Sequence, residues 1–228
     1  NAGGDPYLAA NLNVLRGVTV DVRVTEQETY RIQGQLQVDA ASLNPRHEDN
    51  YYLAAAILPW NGQVEAGQEV LLQAAQARTW DMWPAFYYAF NAMYFERDMP
   101  KAGYWAEVAA QRHPGNAAAL RSMAAAWYER QNDSAVALDV LRAMYAQSSD
   151  VEFRKLLQAR ITRLEGLLVL RKALADYRQQ HDGQMPTDGQ ALIGYGGLET
   201  LPEDPLGAGY VLDSQGQLQI ADHIDSRM

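Results

Sequence analysis

The stretch FYYAFNAMYF, residues 86–95, places six aromatic residues within ten positions of an otherwise ordinary acidic chain. At the helical period of about 3.6 residues, this stretch divides into two sets that lie on different sides of one helix. One set is Phe86, Ala89, Phe90 and Met93. The other set is Tyr87, Tyr88, Asn91, Tyr94 and Phe95. Either both sets are core, or one of them is a surface that serves another purpose.

An internal repeat with an offset of 35 residues contains this stretch. Small or apolar residues recur at matching places in three segments, and turn residues such as Asn61-Gly62 and Pro114-Gly115 separate the predicted helices. The aligned triplets are Ala54, Ala89 and Ala124; Leu58, Met93 and Tyr128; Gly67, Ala102 and Ala137; Leu71, Ala106 and Leu141; and Ala74, Ala109 and Met144. Each segment therefore predicts a pair of helices.

This spacing resembles the tetratricopeptide repeat family, whose helix pairs recur about every 34 residues with small residues at the helix contacts. The resemblance covers residues 48–149. Phe90 stands where the family prefers glycine, and Pro114 alone occupies the family's closing proline position. The resemblance implies a mainly α fold, an α-solenoid in which three helix pairs form a right-handed superhelix.

The resemblance assigns Phe90 and Met93 to helix packing and the tyrosine set to the concave groove of the superhelix. Tyrosine combines a large rigid apolar area with a hydroxyl group, which suits peptide recognition. The candidate partner-binding residues are Tyr52, Trp60, Tyr87, Tyr88, Asn91, Tyr94, Glu129 and Arg130. The alternative is that the terminal segments fold back and bury these rings as ordinary core.

The regions on either side of the repeats have their own patterns. Residues 1–47 contain one degenerate repeat, with a helix expected over residues 30–45; VTVDVRV before it alternates like a strand, although we expect a helix in a helical array. Residues 150–182 predict one long capping helix or two, which would cover the last repeat. Residues 183–228 are rich in glycine and proline and predict a small β-hairpin around SQG.

The string LPEDPLGAGY, residues 201–210, is similar to the end of the globular domain in type II secretion pseudopilins. The matched positions are Leu201, Pro202, Asp204, Pro205, Gly207 and Tyr210. A rigid double-proline turn is the alternative interpretation. In those pseudopilins nearby loop oxygens hold calcium, but here only Asp204 and Asp213 offer carboxylates, and calcium takes six or more oxygens. We therefore expect no metal.

The composition argues against several classes of function. The 19 basic and 28 acidic residues give a net charge of −9, which repels nucleic acid, and no apolar run approaches the length of a membrane span. The chain has no cysteine, and the histidines (His47, His113, His181 and His223) are too scattered for a zinc site. No catalytic or cofactor-binding motif is present, so we expect a protein that is not an enzyme and carries no cofactor.

These observations favour a non-catalytic scaffold that binds a protein or peptide partner. The pseudopilin-like string and a start, NAGGDPYLAAN, that suggests a removed signal or anchor favour a periplasmic or envelope-associated assembly factor for a pilus or secretion system. A cytoplasmic protein is the alternative location. Two other functions stay open: an enzyme or small-ligand receptor with a pocket between the repeats and the C-terminal segment, and a structural homo-oligomer joined through its tyrosine face.

Overall fold

The computed structural model describes residues 5–18, 26–130, 133–213 and 215–221. The contacts divide the chain into an N-terminal unit, residues 1–127, and a C-terminal unit, residues 128–228. This division differs from the predicted segments 1–47, 48–149, 150–182 and 183–228, because it falls inside the third predicted helix pair. In the described parts of the chain, no helix is both long and apolar enough to cross a membrane.

The predicted mainly helical fold with a small hairpin is confirmed. The helices are α1 (Pro6–Val18), α2 (Glu26–Leu43), α3 (Glu48–Ile57), α4 (Val64–Ala77), α5 (Met82–Asn91), α6 (Met99–Arg112), α7 (Ala117–Glu129), α8 (Ser134–Gln147) and α9 (Val151–Gln180). Among the described residues, strand occurs only in β1 (Tyr210–Leu212) and β2 (Leu218–Ile220), which pair antiparallel. The stretch VTVDVRV spans residues 18–24: Val18 is the last residue of α1, and the prediction for the other six residues lies outside the described residues.

The helices begin and end where the sequence has caps and turn residues. The carboxylates of Asp81, Asp98 and Asp150 each accept a hydrogen bond from a backbone N–H in the first turn of α5, α6 and α9. Between α3 and α4 the chain makes a short 3₁₀ turn, Pro59–Asn61, and then turns at Gly62 with a φ of 78°. These breaks divide residues 48–112 into two helix pairs, as the sequence predicts.

Buried alanine residues lie at the helix contacts of the N-terminal unit. Ala89, Ala102, Ala109 and Ala124 are fully buried, which confirms the expectation that they lie at helix contacts. Helix α5 packs against both α4 and α6, and α4 also packs against α2 and α3. Small side chains let these helices approach one another closely, and the larger apolar side chains Leu58, Val70 and Leu71 fill the space between them.

In the C-terminal unit, α9 is a single long helix against which α8, β2 and the 3₁₀ turn Gly189–Leu192 pack. The Asp204 carboxylate fastens the pseudopilin-like string to α9: it accepts hydrogen bonds from Arg163 Nε, at 2.7 Å, and from the backbone N–H groups of Leu206, Ala208 and Gly209. The string is thereby held as a compact turn.

Gly166 makes room on α9 for the ring of Tyr210. The Tyr210 hydroxyl donates a hydrogen bond to the Arg163 carbonyl at 2.9 Å, and a Cβ atom at Gly166 would overlap that hydroxyl and lie 3.0 Å from Pro202 Cβ. Burial and the charge of Asp204 raise the pKa of Tyr210 to about 12, so the hydroxyl stays protonated as a donor at neutral pH. A glycine inside a helix normally costs stability, and here the docked tyrosine explains its presence.

We predict that Gly166→Ala destabilises the protein by about 1–3 kcal/mol, because the new methyl group displaces the Tyr210 ring. In a Tyr210→Phe background the same substitution should cost less, since the clashing hydroxyl is gone and the nearest ring atom, Cζ, lies 3.2 Å from the new Cβ. Urea unfolding followed by circular dichroism measures both costs.

Gly17→Ala is the matched control, because its Cβ would meet nothing closer than 3.7 Å. This helical substitution should be neutral or slightly stabilising. An equal cost of Gly166→Ala with and without the Tyr210 hydroxyl would contradict the docking of this ring against α9.

Candidate functional site

Aromatic side chains of the N-terminal unit lie in two neighbouring groups along α3, α5 and the turns that follow these helices. We call this surface the aromatic strip. Its members are Tyr52, Trp60, Trp83, Tyr87, Phe90 and Tyr94. Ring centroids lie 5.7 Å apart for Trp83 and Tyr87, 5.8 Å for Tyr52 and Tyr87, 5.6 Å for Phe90 and Tyr94, and 5.5 Å for Trp60 and Tyr94.

The two segments that carry the strip, residues 52–60 and residues 83–94, run parallel to each other. Near one end Tyr52, in α3, contacts Tyr87, and at the other end Trp60 contacts Tyr94. The two contacts follow one another in the same order on both segments, so the segments run parallel here. Phe95 closes this second end, with its ring 5.0 Å from that of Trp60.

The position of the strip on α5 follows from the alanine contacts. Ala85, Ala89 and Ala92 are fully buried and lie on one side of the helix. At about 100° per residue, Trp83, Tyr87 and Phe90 project from the opposite side. Close packing of the alanine side therefore directs these rings outward.

Most of the strip is open to solvent. The exposed fractions are 36% for Tyr52, 55% for Trp60, 40% for Trp83 and 43% for Tyr94. The rings of Tyr87 and Phe90 between them are half-buried. Single exposed apolar residues are ordinary, but several exposed rings grouped on one face of a folded domain mark an interaction surface or a ligand groove.

The strip ends at an irregular turn. After α5 the chain makes a π-helical turn, Ala92–Glu96, and Arg97 then adopts a left-handed backbone conformation with a φ of 59°. The Arg97 guanidinium carbon lies 5.7 Å from the centre of the Tyr94 ring. Left-handed conformations of residues other than glycine cost energy and concentrate at functional sites, and π-helical turns do so as well.

An open pocket of about 770 Å³ borders the other end of the strip. It lies between α1 and α3, and Tyr52 belongs both to its wall and to the strip. The lining residues are Asn11, Val14, Leu15, His47, Asp49, Tyr52 and Leu53. One end of the strip thus borders a shallow, open depression between α1 and α3.

Two of the residues predicted to line an open groove are buried, and for them the prediction is wrong. Tyr88 is 7% exposed, its ring lies 5.1 Å from that of Trp105, and its carbonyl accepts a hydrogen bond from Gln68 Nε2. Asn91 is 2% exposed. Tyr88 faces α4 and α6 because it lies next to the alanine side of α5. The buried face of α5 is therefore about one residue away from the face that the repeat register predicts.

The same difference of about one residue in the buried face of α5 means that some residues predicted to be buried are more exposed than expected. Phe90 and Met93, predicted as core, are half-buried, and Phe90 belongs to the strip. Sequence reasoning also missed Trp83 as a member of the strip. The signal was present in the spacing, since Trp83, Tyr87, Phe90 and Tyr94 follow one another at intervals of four, three and four.

Glu129 and Arg130, also predicted as groove residues, belong to the C-terminal unit. The prediction of an open position is wrong for Glu129, which is buried. Its carboxylate pairs with Arg160 and lies 3.7 Å from Arg163 Nη1, while Arg163 also pairs with Asp204. The side chain of Arg130 is exposed.

The strip offers apolar rings and hydrogen-bond donors. Within the described part of the chain, no hydrogen bond engages the Tyr87 or Tyr94 hydroxyl or the indole N–H groups of Trp60 and Trp83. Burial raises the pKa of Tyr87, with smaller contributions from Tyr52 and Asp81, so its hydroxyl remains a donor at neutral pH. Such a surface is suited to binding a partner that is apolar and rich in acceptors.

No protein-family model, no curated protein and no solved structure matches this chain. Among the described residues, no group of three or more histidine, aspartate or glutamate side chains is placed to hold a metal ion.

We predict that Tyr88→Ala lowers the free energy of unfolding by about 3–5 kcal/mol, because it removes a buried ring from the contact with Trp105. Tyr94→Ala should cost less, about 1 kcal/mol, since Tyr94 is 43% exposed. Urea unfolding of the two variants compares the faces of α5 directly. Similar losses for both variants would contradict the assignment of the faces.

Proposed function

We propose that this chain is a non-catalytic scaffold that binds a protein or peptide partner on the aromatic strip. The observation that carries the proposal is the alignment of six aromatic rings, in two groups of ring contacts, along two parallel segments, with four of the rings exposed. Tyrosine and tryptophan are the residues that most often supply binding energy at protein interfaces. A partner with an apolar surface removes these rings from contact with water, and this transfer favours binding.

We further propose that the N-terminal unit is a tetratricopeptide-like α-solenoid. Supporting this are the repeat of 35 residues, the two helix pairs α3–α4 and α5–α6, and the alanines buried at matching positions, Ala54, Ala89 and Ala124. In such an array the first helix of each pair lines the groove. Helices α3 and α5, which carry most of the strip, are the first helices of their pairs.

The strip favours binding over catalysis for a chemical reason. Its polar atoms are phenol and indole groups that donate hydrogen bonds, and a raised pKa at Tyr87 keeps that hydroxyl from acting as a base at neutral pH. Catalysis of acyl or phosphoryl transfer needs a nucleophile with an adjacent base or a charged clamp. The rings of the strip instead provide a large apolar area that a partner can contact.

The cellular setting is also a proposal: a periplasmic or envelope-associated assembly factor for a pilus or secretion system. Its support is the pseudopilin-like string at residues 201–210. In this string Asp204 and Tyr210 both fasten the turn to α9, so the matched residues have structural roles here.

The test of the binding proposal is a double variant, Trp60→Ala with Tyr94→Ala, which removes the most exposed end of the strip. Tagged wild-type protein should retain a defined set of partner proteins from the source cells, identified by mass spectrometry, and the double variant should lose them. The matched control is Trp80→Ala with Tyr104→Ala, because both residues are exposed and neither ring contacts a member of the strip.

Two results would contradict the proposal. The first is retention of the same partners by the double variant. The second is a doubled mass of the wild-type protein in light scattering that the double variant loses, since the strip would then be the interface of a homo-oligomer. Circular dichroism of each variant checks that a lost partner does not reflect a lost fold.

A further inference from the structure

We propose that the aromatic strip binds an extended proline-rich segment in the polyproline II conformation, with an acidic residue at the end that meets Arg97. This inference rests on the proposed function, because it names the chemistry of the partner that the strip would bind.

The spacing of the rings suits this conformation. Trp83 and Phe90 both lie in α5 and are separated by two helical turns, about 10 Å along the helix axis. One turn of polyproline II takes three residues and rises about 9 Å. Prolines three residues apart would therefore meet equivalent gaps between rings along the strip, and aromatic grooves are the usual receptors for such segments.

The polar atoms of the strip suit an extended backbone that lacks internal hydrogen bonds. A polyproline II segment leaves its carbonyl groups unpaired, so they accept hydrogen bonds from a receptor. The strip supplies donors at the Tyr87 and Tyr94 hydroxyls and at the indole N–H groups of Trp60 and Trp83. A helical partner pairs its backbone internally and would leave these donors without acceptors, apart from side chains.

Charge gives the strip a direction. Among the described residues, no ion pair engages Arg97, which lies against the Tyr94 ring at one end. No ion pair engages Asp49 there either, and this carboxylate lines the pocket that borders Tyr52 near the other end. Between these ends the six members of the strip carry no charge. An acidic residue of the partner is therefore attracted to the Tyr94 end and repelled from the Tyr52 end.

The experiment uses the whole chain and three synthetic peptides of about 12 residues, long enough for four turns of polyproline II. The first peptide has proline at every third position and two acidic residues at one end. The second peptide replaces the acidic residues with lysine. The third is an amphipathic helical peptide with the same acidic end and the same number of apolar residues. Tryptophan fluorescence reports binding because Trp60 and Trp83 lie in the strip and proline does not emit.

The first peptide should bind most tightly and shift the emission. The second should bind about threefold more weakly, the size expected for one exposed ion pair. Trp60→Ala with Tyr94→Ala should weaken the first peptide by about tenfold or more. Trp80→Ala with Tyr104→Ala should leave it unchanged, and Arg97→Glu should reverse the order of the first two peptides.

The failure of this inference differs from the failure of the proposed function. If the helical peptide binds as tightly as the first peptide or more tightly, the strip accepts a helix and the proline-rich partner is overturned, while the scaffold function stands. If no peptide binds but partner proteins are still lost by the strip variant, the same conclusion holds. If neither peptides nor partner proteins depend on the strip, both proposals fail.

Discussion

The close contact of helices through alanine is the constraint on which the N-terminal unit depends. Ala89 of α5 is fully buried, as are Ala102 and Ala109 of α6, so small side chains occupy the contact between these helices. The rings of α5 consequently occupy the margins of the contact, like Tyr88, or the opposite side, like Tyr87. The aromatic strip is thus a consequence of how the helices pack, and the proposed binding function uses the surface that packing leaves open.

Much of the architecture could be predicted because it depends on local patterns. Turn residues such as Asn61-Gly62 set the helix ends, and alternation around SQG sets the hairpin. The assignment of faces on α5 was less accurate by about one residue. Apolar residues occupy nearly every position from Phe86 to Phe95, so hydrophobicity alone does not distinguish the two sides, and the alanines were the better guide.

Contacts between distant residues could not be predicted from local patterns. Glu129 was assigned to a groove, but its partners Arg160 and Arg163 lie more than 30 positions further along the chain. A buried carboxylate requires such partners, since an unpaired charge away from water is costly. Gly166 is a second example, because the role of this glycine depends on Tyr210, 44 positions further along the chain. In the C-terminal unit, therefore, the space at Gly166 accommodates Tyr210, and the ion pair between Arg163 and Asp204 helps to hold the turn of residues 201–210 against α9.

The most direct measurement of whether the strip is an open surface is hydroxyl-radical footprinting of the unbound protein, with oxidation of each aromatic side chain quantified by mass spectrometry. We expect Trp60, Trp83 and Tyr94 to be oxidised rapidly and Tyr51 and Tyr88 slowly, because the first three are exposed and the other two are buried. Trp80, exposed outside the strip, provides the internal standard for rapid reaction. Protection of Trp60 and Tyr94 to the level of Tyr88 would show that the strip is covered, and would contradict its role as a binding surface.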